Sequence, residues 1–297
     1  MAAAALHDVL SAAARRLRDA GFEAADAAAD VDVLARHLLV WDRARLLAHR
    51  RDPAPESLVD RLAALVDRRL DRVPVAYLTG IREFYGLDFE VTPDVLIPRP
   101  ETELAVEAAL EALAAPTSSG RVVDVGTGSG CIAVALAVTR PAATVVAIDR
   151  SRPALAVAGR NARRHGVGDR VRLVAGDLVT ALSPRGALDV VVSNPPYIPD
   201  GSPDVAVDVA RHEPAAALYA GHDGLDVVRR LIVDAAPLLR PGGQLILEIG
   251  AGQSDAVARA ASNGDAWTGP VFRQDLQGIA RVAILSRTPA AATRAMR

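Results

Sequence analysis

Val122-Val123-Asp124-Val125-Gly126-Thr127-Gly128-Ser129-Gly130 runs a short apolar strand into a glycine-rich turn, and residues 132–138 behind it have helical character. Strand, tight turn and helix in that order open a parallel α/β unit, with a loop whose backbone a ligand can approach closely. Outward from this unit the chain keeps alternating. Strands are expected at 121–125, 144–148, 171–175, 188–193 and 244–249, and helices at 132–138, 153–165, 225–239 and 254–262. Two further strands, 267–274 and 281–286, are joined by a connection too short for a parallel crossover, so they should pair antiparallel. The expected fold class is therefore α/β, a doubly wound, Rossmann-like sheet of seven strands.

Upstream, the periodicity changes twice. Leu6, Val9, Leu10, Ala13 and Leu17, then Ala28, Val31, Leu34 and Leu38, then Leu58, Leu62, Leu65 and Val66 beyond Pro53 and Pro55, all recur at helical spacing. Residues 1–72 thus read as a small helical domain, suited to recognising a partner or to capping the fold. Residues 73–97 form a linker with a period-two pattern: Phe84, Leu87, Phe89 and Val91, then Val95 and Ile97, with turn residues Thr92-Pro93-Asp94 between. This predicts a β-hairpin. Pro98-Arg99-Pro100-Glu101-Thr102-Glu103 opens a helix through Leu104, Val106, Leu110 and Leu113, its carboxylates lying where the helix dipole favours them. The α/β domain spans 98–287, and 288–297 reads as a loose tail.

Bulk properties narrow the function classes. The 297 residues carry a net charge of −2, with 51% apolar residues, and all 34 basic side chains other than histidine are Arg. A near-neutral, interspersed charge distribution argues against gripping many phosphates, so no stable nucleic-acid partner is expected. The single Cys131 cannot form an internal disulfide, and no long charge-free apolar run suggests a membrane span. A cytoplasmic protein is the expectation. The six His are scattered without ligand spacing, no metal site is expected, and Cys131 reads as a small packing residue.

Two stretches carry chemistry. The first is the glycine loop: the nicotinamide fingerprint would need glycine where Cys131 stands, and the Gly-x-Gly-x-Gly spacing of Gly126, Gly128 and Gly130, with Thr127 and Ser129 between them, favours S-adenosylmethionine over NAD. Asp149, ending the next strand, is placed to accept from a ribose diol, and Asp177, after the third, from an adenine amino group, beside Leu178. The second is Asn194-Pro195-Pro196-Tyr197, which follows the apolar run from Leu188 to Val192. Each Pro removes a backbone donor and fixes φ, leaving the Asn194 side chain and nearby carbonyls as rigid acceptors. Such acceptors suit a planar NH2 group, with Tyr197 as an aromatic wall.

Together these stretches resemble the class I methyltransferases, and the Asn-Pro-Pro-Tyr tetrapeptide resembles the acceptor motif of those that methylate NH2 nitrogens in adenine, guanine or glutamine. Pro74-Val75-Ala76-Tyr77-Leu78-Thr79-Gly80, the hairpin from Phe84 to Val91, and Leu96-Ile97 running into Pro98-Arg99-Pro100-Glu101-Thr102-Glu103 resemble the bacterial protein-(glutamine-N5) methyltransferases that act on peptide chain release factors. Glu213-Pro214, Ala217-Leu218, Asp275, Gly278 and Arg281 extend the likeness, which covers nearly everything from Pro74 onward. The resemblance implies methyl transfer from S-adenosylmethionine to the glutamine of a Gly-Gly-Gln motif. It also implies that Phe89 and Arg99 join Asn194, Pro195, Pro196 and Tyr197 at the acceptor, and that Asn194 lies near the methyl donor as well. Enzymes acting on a ribosomal-protein glutamine, or on adenine or guanine in nucleic acid, are the alternatives. Leu178 departs from members that carry an aromatic residue there.

Overall fold

The computed structural model describes residues 4–113 and 119–289. They group into two units, one running to Ile81 and including Val205–His212, the other comprising Arg82–Asp204 and the chain from Glu213 onward. In the first unit α1 (Leu6–Asp19), α2 (Ala24–Leu39) and α4 (Glu56–Leu70) bury the stripes the spacing predicts, with Leu6, Leu17, Leu34, Leu62 and Val66 at most 1% exposed. Two helices had no periodic signal because they are too short to show one. They are α3 (Arg43–Ala48), capped by Asp42 Oδ1 accepting from Arg45 N at 2.7 Å, and α5 (Val75–Thr79), which Gly80 ends at φ 72°.

The second unit begins with the hairpin, but its turn lies earlier than the sequence pattern suggests. β1 (Ile81–Phe84) and β2 (Leu87–Glu90) are joined by Tyr85-Gly86, both at positive φ as a two-residue hairpin turn requires. Thr92-Pro93-Asp94 is only a local bend, and Val95 and Ile97 are not in a strand. Instead Ile97 N donates to the buried Glu213 carboxylate at 3.0 Å. A short 3-10 turn at Pro100–Thr102 leads into α6 (Glu103–Ala112). Glu103 does more than meet the helix dipole, since its Oε1 accepts from Tyr85 N at 2.9 Å.

β3 (Arg121–Val125), β4 (Thr144–Asp149), β5 (Val171–Ala175), β6 (Leu188–Ser193) and β7 (Leu239–Glu248) are parallel, and β8 (Trp267–Gln274) and β9 (Ala280–Arg287) add antiparallel, in the order β5-β4-β3-β6-β7-β9-β8. This is the expected seven-stranded doubly wound sheet. α7 (Cys131–Thr139) and α8 (Arg152–Arg164) follow β3 and β4, α9 (Val207–His212) belongs to the helical unit, and α10 (Asp226–Ala235) and α11 (Ser254–Ala261) complete the set. α10 ends four residues before the expected limit, because Pro237 cannot continue it and Leu239 already pairs with Leu188. Most of the tail expected at 288–297 lies outside the described residues. Among the described helices none is long and apolar enough to cross a membrane.

Arg69 is the electrostatic centre of the helical unit. Its guanidinium donates to Asp30 Oδ2 at 2.7 Å and to Asp208 Oδ2 of α9 at 2.6 Å, and lies 4.4 Å from the Phe22 ring centroid. His212 Nε2 adds a bond to the Asp71 carbonyl at 2.9 Å. Arg69→Ala strands Asp30, leaves Asp208 only Arg72 at 4.0 Å and removes one of two cations stacked on Phe22, so it should lower the unfolding free energy by about 2–3 kcal/mol. Denaturant unfolding checks this; an unchanged midpoint would mean that the cluster contributes no net stability.

Candidate functional site

The positions where β3 and β6 stop determine the site. The two strands are parallel neighbours with Val125 opposite Ser193, so the chain leaves both at the same height, Gly126 from one and Asn194 from the other. β4 lies on the far side of β3 while β6 lies on this side, which makes the gap between them the switch point where open α/β sheets take ligands. A cavity of about 360 Å3 opens there. Its floor is Gly126, Thr127, Gly128 and Ser129, one wall is Asp149, Asp177 and Leu178, and the opposite wall includes Thr102, Asn194 and Pro196. A second, more open groove of about 500 Å3 lies beside α10, α11 and β8; Arg229 on its rim is already paired with Asp223.

The glycine loop is shaped for close approach. Gly126 and Gly128 have φ of 71° and 55°, and a Cβ on either would meet no heavy atom closer than 4.0 Å, so the space above them is open to a ligand rather than filled by protein. Asp149 holds the loop: its Oδ2 accepts from Gly128 N at 2.9 Å and its Oδ1 from Ser151 N at 2.8 Å. Each oxygen keeps a further lone pair for a hydroxyl. Asp177 is paired with Arg230 at 2.7 Å, and Leu178 sits at φ 49°, a strained conformation that turns the chain at the cavity wall. An open glycine floor with two carboxylates along one wall fits a ribonucleoside.

Two buried groups behind the loop had no visible role in the sequence. Asn161 on α8 accepts from Glu90 N at 2.8 Å and donates to the Glu90 and Ser129 carbonyls, both at 2.9 Å, tying hairpin to glycine loop. Asp124 Oδ2 accepts from Thr127 Oγ1 at 2.6 Å and from Ala133 N at 3.1 Å, while its Oδ1 has no partner. Burial pushes the Asp124 carboxyl up to about 7 against those two bonds.

The tetrapeptide is only partly as expected. Asn194 and Pro196 face the cavity, but Tyr197 is not part of its lining; it turns inward, with its hydroxyl 3.4 Å from Glu248 Oε1. Burial, then the neighbouring Glu248 charge, raise the Tyr197 phenol. Asn194 Nδ2 donates to Thr102 Oγ1 at 3.0 Å, and Thr102 Oγ1 donates to Glu248 Oε2 at 2.6 Å. Neither Thr102 nor Glu248 was singled out by sequence reasoning, since the contacts span 92 and 146 residues. Arg99 points to Glu213 Oε1 at 2.5 Å, beside the lining residue Pro98 rather than in the lining itself. Phe89, expected at the acceptor, lies in the core. It is 0% exposed, packed edge-on to Phe84 at 6.0 Å and against His165, so it is core and has no surface to offer an acceptor.

Known proteins share both halves of the chain. A family model described as the PrmC N-terminal domain matches residues 8–80, and one described as the methyltransferase small domain matches residues 101–216. The release factor glutamine methyltransferase of Burkholderia pseudomallei strain K96243 is 44% identical over 258 residues, 86% of this chain and 90% of that one. Its counterpart of the same name in Nitratidesulfovibrio vulgaris is 39% identical over 285 residues, 94% of each chain. Among solved structures, a methyltransferase from Pyrococcus furiosus is similar in fold, with TM-score 0.51 and 17% identity over 75% of this chain and 99% of that one.

Cys131 opens α7 under the glycine loop, where burial, then the nearby Asp124 charge, push its thiol up to about 12. At pH 8 the thiol is almost entirely un-ionised and unreactive. Iodoacetamide should therefore leave the native protein unmodified on a timescale that fully alkylates the unfolded chain, as read by intact mass. Equal rates would show that the loop and α7 open readily.

Proposed function

Since the chain belongs to the release factor glutamine methyltransferase family, we propose that it transfers a methyl group from S-adenosylmethionine to the side-chain amide nitrogen of the glutamine in the Gly-Gly-Gln motif of peptide chain release factors. The observation that carries this is one cavity bounded by an open glycine floor on one side and by Asn194 on the other. Bound S-adenosylmethionine supplies an electrophilic methyl on a sulfonium. Gly126 to Gly130 and Asp149 are the residues to hold it, Asp149 through its spare lone pairs, with Asp177 and Leu178 beside the base.

The rest is positioning. A carboxamide nitrogen is a poor nucleophile because its lone pair is delocalised into the carbonyl, so orienting that lone pair is what the protein can contribute. Asn194 Oδ1 has no partner within the described protein and, with the Pro195 carbonyl, takes one amide hydrogen each. Both bonds strengthen as the nitrogen becomes cationic, which lowers the barrier, and the surplus proton leaves to solvent. Arg99 and Glu213 shape the acceptor wall through Ile97 and Pro98. The helical unit docks the folded protein around the loop, so contacts remote from the amide help to orient it.

Labelled S-adenosylmethionine offered to a release factor, a ribosomal protein and an RNA should transfer tritium to the release factor alone. Intact factor should far exceed a free Gly-Gly-Gln peptide. Transfer only to RNA or to the ribosomal protein would overturn the assignment. Asn194→Ala should lower kcat about a hundredfold or more with cofactor affinity largely kept. Asp149→Ala should instead weaken cofactor binding by about 1.5–3 kcal/mol, because a charge-assisted acceptor and the tether on Gly128 go together. Calorimetry and steady-state kinetics separate the two; reversed effects would exchange the assigned roles.

A further inference from the structure

Glu248 ends β7 and is 2% exposed, yet it is a carboxylate with no salt-bridge partner among the described residues. Burying such a group is costly unless hydrogen bonds compensate it. What it does hold is the Thr102 hydroxyl, at 2.6 Å, a separation in the range of a hydroxyl donating to an ionised oxygen. Thr102 is itself 2% exposed and, among the described residues, its only other side-chain bond is the 3.0 Å contact to Asn194.

A hydroxyl has one proton. With that proton committed to Glu248, the Thr102 oxygen can only accept, and the only group that Asn194 can offer it is the NH2. The amide is then fixed with Oδ1 on its free side, toward the cavity. A proton on Glu248 Oε2 releases that constraint: Glu248 can donate to Thr102, Thr102 is free to turn its proton to Asn194, and Asn194 can then present oxygen to Thr102 and NH2 to the cavity.

We propose that Thr102 and Glu248 are positioning residues that fix the donor–acceptor polarity of Asn194, so that the site takes an NH2 group and rejects the carboxylate of a glutamate at the same place. The inference rests on Asn194 acting as an acceptor for the glutamine amide. The charged and titratable groups around Glu248 are Glu101 on the turn before α6, Arg281 on β9, Tyr197 on the tetrapeptide with Arg99 near it, and Cys131 at the start of α7. Burial is the largest influence and pushes the carboxyl up to about 7 despite the Thr102 and Tyr197 bonds; Glu101 adds to the rise and Arg281 opposes it. Ionisation, and with it the productive polarity, is therefore gained as pH rises through that value and lost as it falls.

The test compares wild type, Glu248→Gln, Thr102→Val and Thr102→Ser. Wild-type kcat for release factor should fall on acidification through about 7, and Glu248→Gln should be flat over that window. Thr102→Val should lose at least tenfold in kcat with the cofactor Kd within twofold, whereas Thr102→Ser, which keeps the hydroxyl, should retain both rate and acid limb. An unaltered acid limb in Glu248→Gln, or wild-type turnover by Thr102→Val, would overturn the proposal. Should Thr102→Val fail to fold, the Glu248→Gln and Thr102→Ser profiles still decide. Side-chain NMR of 15N-labelled Asn194 reads the same switch without turnover: its NH2 signals should shift with pH through the same range in wild type and not in Glu248→Gln. A titrating signal in a protein that methylates no release factor would leave the polarity standing and sink the substrate assignment; a signal that does not titrate in wild type sinks the polarity.

Discussion

β3 and β6 pair in parallel with Val125 opposite Ser193, and the site depends on where those two strands stop. The register brings the glycine loop and the Asn194 loop out of the sheet side by side. The reversal of strand order at β3 keeps any crossover helix from covering the gap between them. Strand cores hold this geometry: Val123, Val125, Val190, Val191 and Val192 are at most 1% exposed, so a shift of one residue would send buried faces to the wrong side of the sheet. Ser193 adds a lock, its hydroxyl donating to the Val125 carbonyl at 2.7 Å across the pair.

Two buried carboxyls serve the two loops. Asp124 lies beneath the glycine loop and holds Thr127 and the first turn of α7; Glu248 lies behind Asn194 and holds Thr102. Burial pushes both up to about 7, so neither is a passive anion at neutral pH. Their settings differ. Asp124 bonds a backbone N–H and a hydroxyl of its own segment, which fixes a loop shape, whereas Glu248 acts on a side chain from another element, which fixes which atom that side chain shows to the cavity.

The parts legible in the sequence were those written in local pattern. All seven strands of the main sheet, the glycine loop and the tetrapeptide each depend on neighbours a few residues away, and the uniform apolar runs of β3 and β6 declared a sheet covered on both faces. Non-local pairing left no such mark. Asn161 and Glu248 look like ordinary helix and strand-end residues until the fold places their partners 71 and 146 positions away. Phe89 and Tyr197 show the converse. An aromatic next to a reactive motif suggests a wall for the ligand, but Phe89 packs in the core, and the hydroxyl of the half-buried Tyr197 lies 3.4 Å from Glu248. The period-two pattern alone put the hairpin turn too late, because Tyr85 gives no glycine-like hint of its φ of 54°, while Pro93 advertises a turn that joins no strands.

The central claim is that Asn194 and the Pro195 carbonyl grip the two hydrogens of one amide beside the glycine floor. A crystal structure of the protein with S-adenosylhomocysteine and an intact release factor measures this directly. The account predicts the glutamine amide nitrogen within hydrogen-bond distance of both Asn194 Oδ1 and the Pro195 oxygen, with the cofactor ribose on Asp149 and Asn194 still bonded to Thr102. A glutamine side chain held elsewhere, or an Asn194 that has turned its NH2 toward the substrate, would contradict it.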